Sequence, residues 1–149
     1  MIWKKKVNLD DVNALTRNSM VEFLEIRFTA IGDDYMEAVM PVNRKTCQPF
    51  GLLHGGAGAV LAETVGSIAG NYACAAEYSC LGLDININHI RAVKLGDTVR
   101  AVAKPVHIGN TVQVWQIDSF DSANHQINSA RLTLAVRRHM TPESKRRQH

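Results

Sequence analysis

The sequence predicts an α+β fold, an antiparallel sheet wrapped around one long central helix, in a single domain over residues 1–138 followed by a basic tail at 139–149. Three observations carry this expectation. Small and apolar residues run from Gly55-Gly56 to about Ala76 with Glu63 as the sole charge, which suits a long helix buried in protein. Segments before and after that run alternate apolar and polar residues with the period of a strand. Turns of hairpin length, rich in glycine, aspartate and asparagine, join neighbouring segments, and such connections make antiparallel sheets.

Taken in order, Asp10 or Asp11 can cap a short helix running to about Asn18, with Val12 and Leu15 on one face. Residues 25–31 alternate, Gly32-Asp33-Asp34 turns the chain, and residues 35–42 make a second strand. The glycine-opened helix follows. Residues 81–89 alternate strictly over most of their length, placing leucines and isoleucines on one face and aspartate and asparagines on the other. Gly96-Asp97 then leads into a strand at 98–107, Gly109-Asn110 into 112–121, and Ser122-Ala123-Asn124 into 126–138.

With 149 residues, 46% of them hydrophobic and 21% charged, the chain can build one proper core. The net charge of +3 is modest, and much of the basic excess lies at Arg137, Arg138, Lys145, Arg146 and Arg147, a solvated end rather than a nucleic-acid site. The three cysteines, Cys47, Cys74 and Cys80, are odd in number and lack CxxC spacing, which argues for a reducing compartment. No apolar stretch of signal-peptide length follows Met1-Ile2-Trp3-Lys4-Lys5-Lys6, and the polar positions His54, Ser67 and Asn71 argue against the central helix facing lipid. A cytoplasmic protein with neither nucleic acid nor membrane as partner is expected. The histidines lack the spacing of a metal site, so no metal is expected, and Trp3 and Trp115 read as packing anchors.

The central helix divides into three faces. Gly55, Ala59, Ala62, Gly66, Ala69 and Ala73 form a close-approach stripe, and Leu61, Val65, Ile68 and Tyr72 a bulky packing stripe. Glu63, Thr64, Ser67 and Asn71 form a polar strip in which Glu63 is expected to be buried. Free backbone N–H groups at a helix start can hold a carbonyl oxygen as negative charge develops on it. Gly55 and Glu63 are eight residues apart, hence about 12 Å at about 1.5 Å per residue, too far for both to touch one carbon. If both act, a second copy must supply one of them, and an isologous dimer would make two such sites.

The chain resembles the hotdog-fold acyl-CoA thioesterases, in particular the bacterial group that includes the 1,4-dihydroxy-2-naphthoyl-CoA hydrolases and the proofreading thioesterases of enterobactin synthesis. The resemblance spans Trp3 to about Arg138. It is carried by Gln48-Pro49-Phe50-Gly51-Leu52-Leu53-His54-Gly55-Gly56, Leu61-Ala62-Glu63-Thr64, Asn86-Ile87-Asn88-His89-Ile90-Arg91, Val112-Gln113-Val114-Trp115-Gln116-Ile117 and Ser129-Ala130-Arg131-Leu132-Thr133, in that order. Ile87 departs from the small residue usual in the Asn-x-Asn-His motif.

What the resemblance implies is hydrolysis of an acyl- or aroyl-CoA, or of an acyl or aryl carrier-protein thioester, without a cofactor. The site would lie between the subunits of a homodimer, itself paired into a homotetramer. Glu63 would be the nucleophile or the general base, and Gly55 would supply the backbone N–H facing the thioester oxygen. Gln48 and His54 would organise the carbonyl and the attacking water, although the residues alone allow both to be simple loop closures. Ser67 would sit beside Glu63, its alternative being a bond to its own i−4 carbonyl. His89 and Arg91 would contact the phosphates of coenzyme A, and Gly82 would give strand backbone to the pantetheine arm. Two rivals share the scaffold: a non-catalytic acyl-CoA-binding module, and a hydratase, whose Asp–His signature pair is absent from this sequence.

Overall fold

Nine elements follow one another in the computed structural model, which describes residues Met1–His139. They are α1 (Leu9–Leu15), α2 (Met20–Phe23), β1 (Arg27–Ile31), β2 (Met36–Pro41), α3 (Gly55–Ala73), β3 (Tyr78–His89), β4 (Thr98–Ile108), β5 (Val112–Phe120) and β6 (Gln126–Arg138). The strands form one six-stranded antiparallel sheet in the order β1-β2-β4-β5-β6-β3, with α3 across its inner face. The expected basic tail falls almost wholly outside the described residues. The first helix is capped by Asn8, whose side chain accepts from Asp11 N–H at 2.9 Å, rather than by Asp10 or Asp11. The four-residue α2, capped by Ser19, was not expected.

Small residues let α3 ride low on the sheet. A Cβ on Gly66 would stand 2.7 Å from Leu132 and 3.1 Å from Ile117. The buried positions Leu61, Ala62, Val65, Gly66, Ala69, Gly70 and Ala73 therefore merge the two expected stripes into one face, while Ala59, Ile68 and Tyr72 stay partly open. Beneath this face, the inner residues of β5, Gln113, Trp115 and Ile117, are fully buried. Trp115 stacks on Trp3 with centroids 6.4 Å apart and planes 6° off parallel, so both tryptophans are packing anchors as expected. Their N–H groups are satisfied by Gln113 Oε1 at 2.8 Å and Gly32 O at 2.7 Å respectively.

Asn71 locks α3 to β3. Its amide nitrogen donates to Ser67 O (2.9 Å) and Cys80 O (3.3 Å), and its oxygen accepts from Cys80 N–H (2.9 Å). Along β3 the expected strict alternation breaks. A register shift between Gly82 and Asp84 moves the chain by one residue, so Cys80 and Gly82 pair with the buried Val136 and Leu134, whereas Ile85, Ile87 and His89 pair with Leu132, Ala130 and Asn128. Gly82 and His89 are thereby both on the helix side, and Leu81 and Leu83 are turned out at 61% exposure each. Period-two reasoning had put these leucines on the same face as Ile85 and Ile87.

Candidate active site

The loop that enters α3 is closed by its own polar groups. Cys47 bridges Leu53 and Leu52 bridges Lys94, which pins the loop to the segment after β3. Gln48 N–H donates to Leu52 O at 2.7 Å, while the Gln48 side-chain oxygen accepts from the N–H groups of Phe50 and Leu52. The oxygen of Gln48 thus closes the loop, and its NH₂ donates to nothing among the described residues. Phe50 stands at 88% exposure at the loop tip.

His54 caps α3. Its φ of −69° and ψ of 129° are extended, and its Nδ1 accepts from Gly56 N–H at 2.8 Å, so a neutral ring carries its proton on Nε2. The His54 carbonyl accepts from Ala57 N–H (3.0 Å) and Gly58 N–H (3.2 Å). Of the first-turn donors, only the Gly55 N–H is without a partner among the described residues. That group stands at the positive end of a nineteen-residue helix with no acid in its first turn. A Cβ on Gly55 would lie 2.8 Å from His89 Nε2, so the end of β3 sits directly on the helix start.

Two turns further on, Glu63 is exposed on the chain taken alone, against the expectation of a buried acid. Of the polar strip of α3, Thr64, Ser67 and Asn71 are half-buried and only Glu63 is exposed. The Glu63 carboxylate meets the backbone of Gly82, where a Cβ would be 2.9 Å from Oε1, and it makes no hydrogen bond or ion pair among the described residues. Ser67, one turn on, uses its carbonyl to accept from Asn71, and its hydroxyl makes no bond to the Glu63 carbonyl among the described residues. Arg91 Nε stands 4.0 Å from Asp121 Oδ2, and its side chain is 55% exposed.

The expected site residues therefore fall into two groups. Gln48, His54, Gly55 and His89 gather at the helix start, with Arg91 two residues beyond His89; Glu63, Ser67 and Gly82 gather along the middle of α3. Eight residues of α3 put Glu63 about 12 Å along the helix from Gly55. One group offers an unpartnered amide donor beside two imidazoles, and the other an unpaired carboxylate, which are the complementary parts of an acyl-transfer centre.

The pattern of the family described as Thioesterase superfamily matches residues 50–127. The chain belongs to this family and is a thioester hydrolase of the hotdog fold. It is 52% identical to the 1,4-dihydroxy-2-naphthoyl-CoA hydrolase of Escherichia coli, over 91% of this chain and 99% of that protein. To a proofreading thioesterase of Cronobacter turicensis it is 46% identical, over 91% and 98% respectively. The crystal structure of a thioesterase from Haemophilus influenzae superposes with a TM-score of 0.92 at 45% identity, covering 95% of this chain and 99% of that one.

Proposed function

We propose that this enzyme hydrolyses acyl- and aroyl-CoA thioesters at two equivalent sites, each built from the helix start of one copy and the Glu63 group of another. The observation that carries the reading is the division of labour along β3, where Gly82 neighbours Glu63 and His89 neighbours Gly55. This strand is the last of the sheet, twelve residues long, with Leu81 and Leu83 exposed and one backbone edge unpaired. Long open edges of this kind invite another strand. The midpoint between Gly82 and His89 falls at Ile85–Asn86. Antiparallel self-pairing centred there sets Gly82 of each copy across from His89 of the other, and so carries Glu63 to the partner's Gly55.

In such a centre the Gly55 N–H donates to the thioester oxygen, and the partner's Glu63 works on the carbonyl carbon. Along one route its carboxylate attacks, the C–S bond breaks, CoA leaves as the thiol, and water then cleaves the mixed anhydride. Along the other it takes a proton from a water that attacks directly. His54 Nε2–H and the Gln48 NH₂ are donors for the carbonyl or the water, and the Ser67 hydroxyl stands beside the acid. Gly82 backbone lies along the pantetheine arm and Arg91 faces the nucleotide end, where the guanidinium fork suits phosphate, whereas His89, against Gly55, lies at the carbonyl end and not at the phosphates. Val60, Thr64 and Ile68 line the acyl side.

The similarity to the Escherichia coli hydrolase makes 1,4-dihydroxy-2-naphthoyl-CoA the first substrate to try. A second reading, release of wrongly loaded acyl or aryl groups from a carrier protein, is supported by the similarity to the proofreading thioesterase. One hotdog domain over residues 1–138, homodimers paired into homotetramers, and a cytoplasmic location complete the proposal. A thiol-reactive dye assay over hydroxynaphthoyl-, benzoyl-, phenylacetyl- and straight-chain CoA thioesters plus an aryl-loaded carrier protein tests it. Thiol release marks hydrolysis, whereas binding without release would leave the acyl-CoA-binding module. Single turnover in oxygen-18 water separates the routes, since label enters the Glu63 side chain only along the anhydride path.

A further inference from the structure

One row of residues crossing the sheet beneath the first turns of α3 is polar where its neighbours are apolar. Ser119 on β5 pairs with Asn128 on β6, and Asn128 pairs with His89 on β3. The next rows, Ile117–Ala130–Ile87 and Trp115–Leu132–Ile85, are the apolar floor expected under a helix. Ser119 is 0% exposed and Asn128 1% exposed. The Ser119 hydroxyl and both polar atoms of the Asn128 side chain have no hydrogen-bond partner among the described residues.

This fold satisfies a buried amide elsewhere: Gln113, also at 0% exposure, accepts from Trp115 at 2.8 Å and donates to Gly70 O at 3.3 Å. Burying three polar atoms without partners is costly, so the row at the helix start calls for a shared partner. The geometry says where it sits. Asn128 Nδ2 is 3.3 Å from the point where a Cβ on Gly58 would stand, and His89 Cε1 is 3.9 Å from the same point. The glycine leaves the space between the amide and the imidazole without a side chain.

We propose that Asn128, backed by Ser119, is a positioning residue for His89. The pair holds one internal water below Gly58, and that water fixes the imidazole against Gly55. The Ser119 hydroxyl and the Asn128 amide give the water polar partners, of which an internal water ordinarily has about two to four, and the His89 ring borders it through Cε1. The functional consequence rests on the helix start being the carbonyl site, because a ring that swings there moves a group beside the oxyanion donor. The structural consequence does not depend on that reading.

Asn128→Leu removes the polar atoms while keeping the branched outline of the side chain, and Ser119→Ala removes one hydroxyl. Both are compared with the full wild-type chain by ¹⁵N NMR of the His89 ring and by kinetics with benzoyl-CoA. The expected result for Asn128→Leu is a Tm equal to or above wild type and altered His89 ring signals. With them, kcat falls by about tenfold to a hundredfold while KM changes by less than about threefold, as displaced supporting groups do. Unchanged His89 signals and kcat in a folded Asn128→Leu protein overturn the proposal. Should that variant unfold, Ser119→Ala decides: shifted His89 signals support the relay and unshifted ones overturn it. Should wild type hydrolyse no thioester while the His89 signals still move in the variants, the proposed function fails and the positioning stands.

Discussion

Glu63 Oε1 lies 2.9 Å from the point where a Cβ on Gly82 would stand, so the carboxylate rests against the bare backbone of the edge strand. The contact ties the middle of α3 to β3 by absence of a side chain rather than by a bond.

Gly82→Ala should therefore act on chemistry and not on folding. The added methyl meets the far end of a flexible, exposed side chain, which can swing aside, so Tm should stay within about 2 °C of wild type. Because the acid moves, kcat should fall by about tenfold to a hundredfold. Thermal melts beside steady-state kinetics check both halves.

Replacing Glu63 itself by Ala should lower kcat by about a hundredfold to ten-thousandfold, the range of a lost general base, with a much smaller change in KM. A Glu63→Ala enzyme with near-normal turnover would remove the residue from either route.

His54 carries two candidate roles that substitution can separate. His54→Ala loses the cap on Gly56 N–H and should cost about 1 kcal/mol of stability, whereas His54→Asn keeps a capping oxygen and should recover most of it. If the ring also organises the carbonyl, His54→Asn will stay slow while regaining stability. Denaturant melts and kcat on the same two proteins report this.

Asp121 supplies a pH dependence with a definite sign. Its carboxyl is held below the usual aspartate range chiefly by the backbone N–H of His125 at 2.8 Å; burial opposes this as the next largest effect, and the His125 ring and the Ala123 backbone N–H add to the lowering. A folded pKa below the unfolded one means that the stabilisation is present above the unfolded value, about 4, and is lost as pH falls through the folded value. Asp121→Asn should lower stability at neutral pH and flatten its fall on the acid side, as urea melts from pH 3 to pH 7 would show. By contrast, burial pushes the Cys80 thiol up to about 12, so it should resist alkylation in the native protein at pH 8.

Much of this was legible in the residues. The long helix, five of the six strands to within two residues at each end, and three of the hairpin turns follow from apolar spacing and from glycine, aspartate and asparagine at the joints; Gly96-Asp97 makes no hairpin, because β3 pairs with β6 at the sheet edge and β4 with β2 and β5. The first helix took Asn8 as its cap, and not Asp10 or Asp11, because the asparagine side chain is placed to accept from Asp11 N–H. The four residues of α2 are too few to show a helical period. On β3 the strict alternation concealed a one-residue shift, because a bulge needs no special residue beyond the nearby glycine. Glu63 and the helix start were found from sequence spacing, but the exposure of Glu63 was not, since its apolar neighbours on α3 face the sheet and not the acid. Asn128 and Ser119 went unnoticed although a signal existed. Asn128 shares the phase of Ala130, Leu132 and Leu134 along β6, as Ser119 shares that of Trp115 and Ile117 along β5, and a polar residue in the core phase of a strand needs a reason.

The shared reaction centre can be tested by mixing two disabled enzymes. Gly55→Pro deletes the N–H at a helix position that accepts proline, after a residue already extended at ψ 129°; Gly55→Ala, which keeps the N–H, serves as its control. Co-refolded with Glu63→Ala, random pairing makes about half the dimers mixed, and each mixed dimer keeps one of its two sites intact. The division of the site between two copies predicts that equal amounts of the two inactive proteins recover about a quarter of wild-type activity. Activity no higher than the sum of the separate variants, in a preparation shown to contain mixed dimers, would contradict it.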